Sequence, residues 1–164
     1  MSKIYPLTGI RVLDLTRILA GPLCTQYLGD LGAEIIKIEN PKGGDDTRAW
    51  GPPFLETESA YYLGINRNKK SICLDIKTKE GFKILKDLIK KSDVVIDNFK
   101  PGFWDKIDLP DSWFNKNVQN VVRTSISGYG VKGPQGGLPG YDFLMQAESG
   151  LMKITGEVLS LIHI

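Results

Sequence analysis

Ile10-Arg11-Val12-Leu13-Asp14-Leu15 opens a run that continues through Pro22 to Leu31 and closes with Glu34-Ile35-Ile36-Lys37-Ile38-Glu39. The first six residues read as a short, mostly buried strand. The middle reads as a helix, with Pro22 in its first turn and Gly32 as its stop. The last six read as a second strand. From Ile10 to Glu39 the run has the length that a parallel crossover requires, and such crossovers are right-handed.

The same alternation continues outward. Asn40 to Trp50 holds Pro41, Gly43, Gly44, Asp45 and Asp46 and reads as loop. Ser59 to Ile65 reads as a short helix. Ser71 to Ile76 sets Ile72, Leu74 and Ile76 against Ser71, Cys73 and Asp75, which is strand periodicity with one buried face. Thr78 caps a helix to about Lys91, with Phe82, Leu85, Leu88 and Ile89 on one side. Lys86, Lys90 and Lys91 near its end match the helix dipole. Asp93 to Asp97 and Val121 to Ser127 read as strands, and Tyr141 to about Met152 as a helix. Strands alternating with helices predict an α/β fold, a parallel sheet flanked by helices. Ligands in such sheets bind outside the carboxyl ends of the strands. That directs attention to the segments after Leu15, Glu39, Ile76, Asp97 and Ile126.

Composition narrows the function. The 164 residues are 41% hydrophobic and 24% charged, ordinary for a globular domain with a real core. A net charge of +2, with no basic run interleaved with aromatics, argues against nucleic acid as a partner. Cys24 and Cys73 are far apart, which fits a reduced interior rather than a disulfide framework. No apolar run is long enough to span a bilayer, so no membrane partner is expected. Met1 to Pro6 resembles neither a secretory nor a transit segment. The default compartment is the cytoplasm, with a mitochondrial location left open.

Four segments carry chemistry. Thr16-Arg17-Ile18-Leu19-Ala20-Gly21-Pro22 joins a strand end to a helix start, where small residues and unpaired N–H groups favour an anion; on spacing alone a plain turn is the better reading. Asn66-Arg67-Asn68-Lys69-Lys70-Ser71 and Lys77 bracket a strand with cations that could face phosphates, although such runs are usually solvated. Asp97-Asn98-Phe99-Lys100-Pro101-Gly102 offers an amide, a flat ring and, with Lys106, positive charge, a mixture suited to a purine with nearby phosphates; on its own a polar loop with one anchoring aromatic is the better reading. Gly128-Tyr129-Gly130-Val131-Lys132-Gly133 matches dinucleotide-fingerprint spacing. The prolines and glycines from Pro134 to Gly140 stop the helix that fingerprint needs, so a nicotinamide or flavin cofactor is not expected.

Familiar catalytic arrangements are missing. His163 is the only histidine and lies near the chain end, so the body holds no histidine triad. No Cys/His metal cluster and no Walker sequence occur, and no metal is expected. Adjacent acids such as Asp45 and Asp46 in a glycine loop are expected to be solvated.

Taken together, these segments resemble the family III CoA-transferases. The likeness runs from Leu7 to Glu157. It is carried by Gly9-Ile10-Arg11-Val12-Leu13-Asp14-Leu15, Leu19-Ala20-Gly21-Pro22, Gly29-Asp30-Leu31-Gly32-Ala33-Glu34-Ile35-Ile36-Lys37-Ile38-Glu39, Gly44-Asp45-Asp46-Thr47-Arg48 with Trp50, Asn66 to Ser71, Asn98 to Gly102, Ser127-Gly128-Tyr129-Gly130 and Gly140-Tyr141-Asp142. Gly44 to Phe54 and Tyr61-Tyr62-Leu63 look most like the branch that moves CoA between succinate and glutarate or similar dicarboxylates. Residues 1–157 are thus expected to be the N-terminal part of a Rossmann-like large domain, truncated. Residues 158–164 resemble nothing in the family.

The resemblance implies coenzyme A thioester as substrate with no prosthetic group, a small carboxylic acid as the other partner, and a homodimer of interlinked rings. It implies backbone contacts from Leu19 and Ala20 near the thioester. Asn40 stands where the family often has a basic residue near the nucleotide. Leu74, Asp75, Ile76 and Lys77, with Asn98, Phe99 and Lys100, would line the adenosine and phosphates. Lys106 replaces a phosphate-binding arginine, keeping charge without the planar fork. Tyr141 and Asp142 would approach the acyl end, Asp142 as the family's second acid. The implied chemistry is nucleophilic attack by an aspartate on the thioester, and that aspartate is expected beyond the chain's last residue. The runner-up reading is a non-catalytic CoA-binding or dimerisation fragment. A third, a nucleotide-dependent oxidoreductase, conflicts with the proline-filled loop.

Overall fold

Arg11–Asp14 (β1) is the central strand of a five-stranded parallel sheet. Val12 and Leu13 show why it sits there. Successive side chains of a strand point to opposite faces, and both residues are wholly buried, each in a different apolar cluster. A strand that is apolar on both sides has its place inside a covered parallel sheet.

The computed structural model describes residues 5–155. After β1 come α1 (Ala20–Asp30), β2 (Glu34–Glu39), a 3-10 turn (Asp46–Ala49), a small antiparallel hairpin of β3 (Phe54–Leu55) and β4 (Glu58–Ser59), and α2 (Ala60–Ile65). Then follow β5 (Lys69–Cys73), α3 (Lys79–Lys90), β6 (Val94–Asp97), α4 (Phe103–Lys106), α5 (Asp111–Asn117) and β7 (Val122–Ser125). The sheet order is β5-β2-β1-β6-β7, with every neighbouring pair parallel. The chain steps outward from β1 to β5, returns to β6 beside β1, and steps outward the other way.

Helices cover both faces. Leu13, Leu15, Ile38 and Val95 pack with Leu85 and Ile89 of α3 and with Trp104, Leu109 and Phe114 around α4 and α5. Val12, Ala33, Ile35 and Ile96 form the second core, with Cys24 and Leu28 of α1 against it. In α3 the Thr78 hydroxyl accepts the Gly81 N–H at 3.0 Å, capping the helix as its sequence predicts. Leu85 and Ile89, four residues apart, are its buried ridge. These residues form one compact unit, 1–126; residues 127–164 form a second. The described part of the second holds turns, α6 (Asp142–Glu148) and α7 (Leu151–Ile154).

The parallel α/β sheet expected from the alternation is present. Several local expectations differ. The strand placed at Ser71 to Ile76 is Lys69–Cys73, so Leu74, Asp75 and Ile76 lie past its end. β2 stops at Glu39, and beyond that register β5 has no partner left to follow. Of the face expected to be buried, Leu74 and Ile76 are partly buried against the first core, while Ile72 within β5 is exposed. The single helix expected from Tyr141 to Met152 is broken at Gly150, whose φ of 78° is left-handed and ends the first segment. The Asn40 to Trp50 loop contains the 3-10 turn, and α4 and α5 carried no periodicity long enough to announce them. The tail at 158–164 lies outside the described residues.

Candidate functional site

β1 and β6 are parallel neighbours whose following segments travel to opposite sides of the sheet. Their carboxyl ends mark the switch point at which doubly wound sheets bind ligands. The segments beyond the two strands are tied by one side chain. Asn98 Oδ1 accepts the Arg17 N–H at 3.0 Å, and Asn98 Nδ2 donates to the Arg17 carbonyl at 2.8 Å. A side-chain amide thus pairs with a backbone peptide as a strand would.

The turn after β1 is tight. A Cβ on Gly21 would lie 2.2 Å from the Thr16 Cβ, so only glycine lets α1 begin this close to the strand end. Leu19, the residue before the helix, gives it no side-chain cap. The N–H groups of Leu19, Ala20 and Gly21 make no hydrogen bond among the described residues, as expected for a helix start awaiting a partner. Ile18 has φ of 71°, an outlying conformation for a β-branched residue.

Beneath this rim lies a set of buried charges. Asp14 accepts hydrogen bonds from the Thr16 N–H (2.9 Å), Thr16 Oγ1 (2.5 Å), Thr25 Oγ1 (2.5 Å) and Lys69 Nζ (3.2 Å). Lys37 projects from β2 and donates to the Thr16 carbonyl at 2.8 Å and to Asp45 Oδ2 at 2.9 Å. Asp45 Oδ1 accepts the N–H groups of Ile18 and Thr47 and the Thr47 hydroxyl. Glu39 is gripped by Arg48 through two contacts of 2.8 Å and also accepts from Ser71, Tyr62 and the Asp45 N–H.

The titration behaviour follows from this geometry. Burial pushes Glu39 up, but its hydrogen bonds outweigh that and hold it at about 2. Asp45 is likewise lowered: burial opposes, while Lys37 and the Thr47 groups prevail. Burial pulls Lys69 down, Asp14 partly restores it and Lys37 lowers it again, leaving it at about 8. Tyr62 is raised by burial and by the Glu39 carboxylate it bonds.

The solvated readings of these loops need correction. Asp45 is 1% exposed rather than in water, because the lysine of β2 needs a counter-ion. Asp46 is the exposed member of the pair and faces Arg17 at 3.5 Å. The Lys69 ammonium is buried under α1, whereas Arg67 is solvated as expected and pairs with Asp30 at the surface. The signal for the first pair was present in the sequence: a lysine between Ile36 and Ile38 in a buried strand must have a partner.

Residues 7–159 match the family described as CoA-transferase family III. The chain belongs to that family. It is 51% identical over 156 residues to the succinyl-CoA:glutarate CoA-transferase of Homo sapiens, covering 95% of this chain and 36% of that protein. It is 48% identical over 158 residues to the succinate–glutarate CoA-transferase of Agrobacterium fabrum, covering 93% and 40%. Among solved structures, a CAIB/BAIF family protein from Brucella suis superposes with a TM-score of 0.89 at 45% identity, covering 99% of this chain and 44% of that one. The chain therefore spans a little over a third of the length of these curated relatives.

Within this family III chain the sheet brings most of the candidate residues to one rim. Leu19 and Ala20 follow β1, Asn40 follows β2, Leu74 to Lys77 follow β5, and Asn98 to Lys100 follow β6, all at the carboxyl ends of parallel strands. Asn40 accepts the Lys42 N–H at 2.9 Å in its own turn, and Asp75 accepts the Lys77 N–H at 3.0 Å. Phe99 stacks on Phe103, with ring centres 3.8 Å apart. The ammonium groups of Lys77, Lys100 and Lys106 make no ion pair among the described residues. Lys106 is set apart, at the end of α4. Tyr141 and Asp142 belong to the second unit; Asp142 accepts from Gln146 Nε2 at 2.6 Å.

A polar depression of about 440 Å³ lies at the opposite end of the sheet, lined by Lys90, Asp93, Lys116 and their neighbours, where β6 and β7 begin. It is remote from the switch point. Among the described residues no cluster of His, Cys, Asp or Glu suits a metal, and no helix is long and apolar enough to cross a membrane.

Proposed function

We propose that the protein is a CoA-transferase that moves coenzyme A between an acyl-CoA, with succinyl-CoA the first choice, and a small dicarboxylic acid, and that the rim of this chain holds the nucleotide and pantetheine. The observation carrying this is the topological switch point at the carboxyl ends of β1 and β6. N–H groups at residues 19–21 without a partner, and lysines at 77 and 100 without an ion pair, among the described residues stand around the ends of the strands. Relatives near 50% identity bear succinyl-CoA and glutarate in their names.

The chemistry follows the family. An aspartate carboxylate attacks the thioester carbonyl, the C–S bond breaks, and a mixed anhydride and CoA thiolate result. The thiolate attacks the aspartyl carbonyl, giving an aspartyl-CoA thioester and the first free acid. The acceptor carboxylate then attacks that thioester, and the thiolate returns to the acceptor's acyl carbon, restoring the aspartate. On this reading the nucleophile lies outside these 164 residues, and the 164-residue chain alone is inactive. Asp142 serves as the second acid, and the complete protein works as a homodimer. The chain's own part is to place the thioester and to supply backbone donors for the oxygen that gains charge.

The deciding assay offers succinyl-CoA and glutarate to the full-length protein and follows glutaryl-CoA. Transfer from succinyl-CoA is expected. Failure with every acyl-CoA donor and dicarboxylate offered would overturn the proposal.

A further inference from the structure

We propose that Asp45 is a positioning residue for CoA-thioester binding: through the Ile18 N–H it holds the turn after β1 in a strained shape that aims the N–H groups of residues 19–21 at the switch point. The thioester part of this inference rests on the functional reading above; the conformational part does not.

Four observations meet at this point. Ile18 has φ of 71°, a region that β-branched residues avoid, and such strain persists only where surrounding contacts over-determine it. Its N–H donates to Asp45 Oδ1 at 3.2 Å. The residue before it, Arg17, is clamped on both its N–H and its carbonyl by Asn98. The residue before that, Thr16, is held by Asp14 on one side and by Lys37 on its carbonyl. Three consecutive peptides are therefore fixed from three directions, and immediately after them come three N–H groups with no partner among the described residues. Core stability does not require this arrangement, since Ile18 is 37% exposed and joins neither apolar cluster. What the strain achieves is direction. If Ile18 relaxed to negative φ, the helix start would turn relative to β1.

Asp45 carries this role because it bonds both Ile18 and Lys37, and Lys37 bonds Thr16. The pair ties the loop after β2 to the turn after β1 without touching the proposed ligand.

The test uses the full-length protein with two double variants. Both contain Lys37→Met, so neither leaves a buried ammonium unpaired. Asp45→Asn keeps an acceptor for the Ile18 N–H; Asp45→Ala does not. Crystal structures should show Ile18 at positive φ in the Asn variant and at negative φ in the Ala variant. Calorimetric affinity for CoA should fall about tenfold or more in the Ala variant relative to the Asn variant, since small misplacements of positioned groups cost up to about a hundredfold. Adding Ile18→Gly to the Ala variant should recover most of the loss, because glycine adopts positive φ without strain. A merely structural role for Asp45 would give no such recovery.

Positive φ retained in the Ala variant overturns the inference. So does equal CoA affinity in the two double variants. An unaltered protein that binds no CoA and transfers none sinks the functional reading instead, and Ile18 geometry still judges the conformational claim. Should neither double variant fold, amide exchange in the unaltered protein decides: Ile18 should exchange much more slowly than Leu19, and equal rates would refute the hold.

Discussion

Lys37 and Asp45 form an ion pair of 2.9 Å in which both side chains are sealed from water, at 1% and 0% exposure. The lysine comes from the middle of a buried strand and the aspartate from a glycine loop eight residues on. Each charge is tolerable only because of the other.

Breaking the pair from one side should therefore cost more than removing it. Asp45→Ala alone strands a buried ammonium and should lower stability by about 3–5 kcal/mol. Lys37→Met with Asp45→Ala removes both charges and should lose clearly less. Urea midpoints of the two proteins check this order, and equal losses would mean that water reaches Lys37.

The Asn98 clamp on Arg17 makes a graded prediction. Asn98→Ala removes a donor and an acceptor, two hydrogen bonds near the surface, and should cost about 1–3 kcal/mol. Asn98→Asp keeps the acceptor for the Arg17 N–H but sets a carboxylate against the Arg17 carbonyl. It should weaken CoA binding more than its effect on stability explains, since negative charge would then face the proposed phosphates. Thermal melts and CoA titration of both variants separate the two effects.

The sheet was legible in the sequence because period-two and period-3.6 patterns report burial directly. β1, β2, β6 and α3 fall within a residue or so of their expected ends, and Thr78 is the cap its position suggested. The rim was legible because parallel strands must all present their carboxyl ends together. Tertiary choices were not. Alternation placed Leu74 and Ile76 on the core side correctly but not the exposure of Ile72. Gly150 broke a helix whose hydrophobic spacing runs through it. Asp45 and Lys69 looked solvated because a charge in a loop reads the same whether or not a distant strand supplies its partner. Lys37 was the clue, since an ionised group in the middle of an apolar strand demands a counter-ion.

Glu39 sets the acid limb of stability. Its folded pKa is about 2 against an ordinary 4.5. A depressed carboxylate contributes fully above the unfolded value, and the contribution is lost as pH falls through 4.5 towards 2. The shift corresponds to about 3 kcal/mol. Unfolding free energies of the unaltered protein and of Glu39→Gln, measured from pH 6 down to about 2, should converge across that window. A constant difference would show that Arg48 grips the two side chains equally well.

Lys69 should act on the alkaline side, where stability again rises with pH. Its ammonium sits 2.7 Å from the Pro22 carbonyl, 2.9 Å from Asn66 Oδ1 and 3.2 Å from Asp14 Oδ2, yet burial pulls its pKa to about 8 from 10.5. Between those values the unfolded chain holds a proton that the folded chain has released. Stability attributable to Lys69 therefore rises with pH through that interval, by about 2–3 kcal/mol between pH 7 and pH 10. Tyr62 works against this only above its ordinary value of 10, where the unfolded phenol ionises before the folded one. The window thus closes near pH 10. The comparison is with Lys69→Met, which has no proton to release. The unaltered protein should gain on that variant from pH 8 upward, by equilibrium unfolding in matched buffers. A gap that stays flat would mean that Asp14 keeps Lys69 charged, and that the buried carboxylate outweighs the desolvation that α1 imposes.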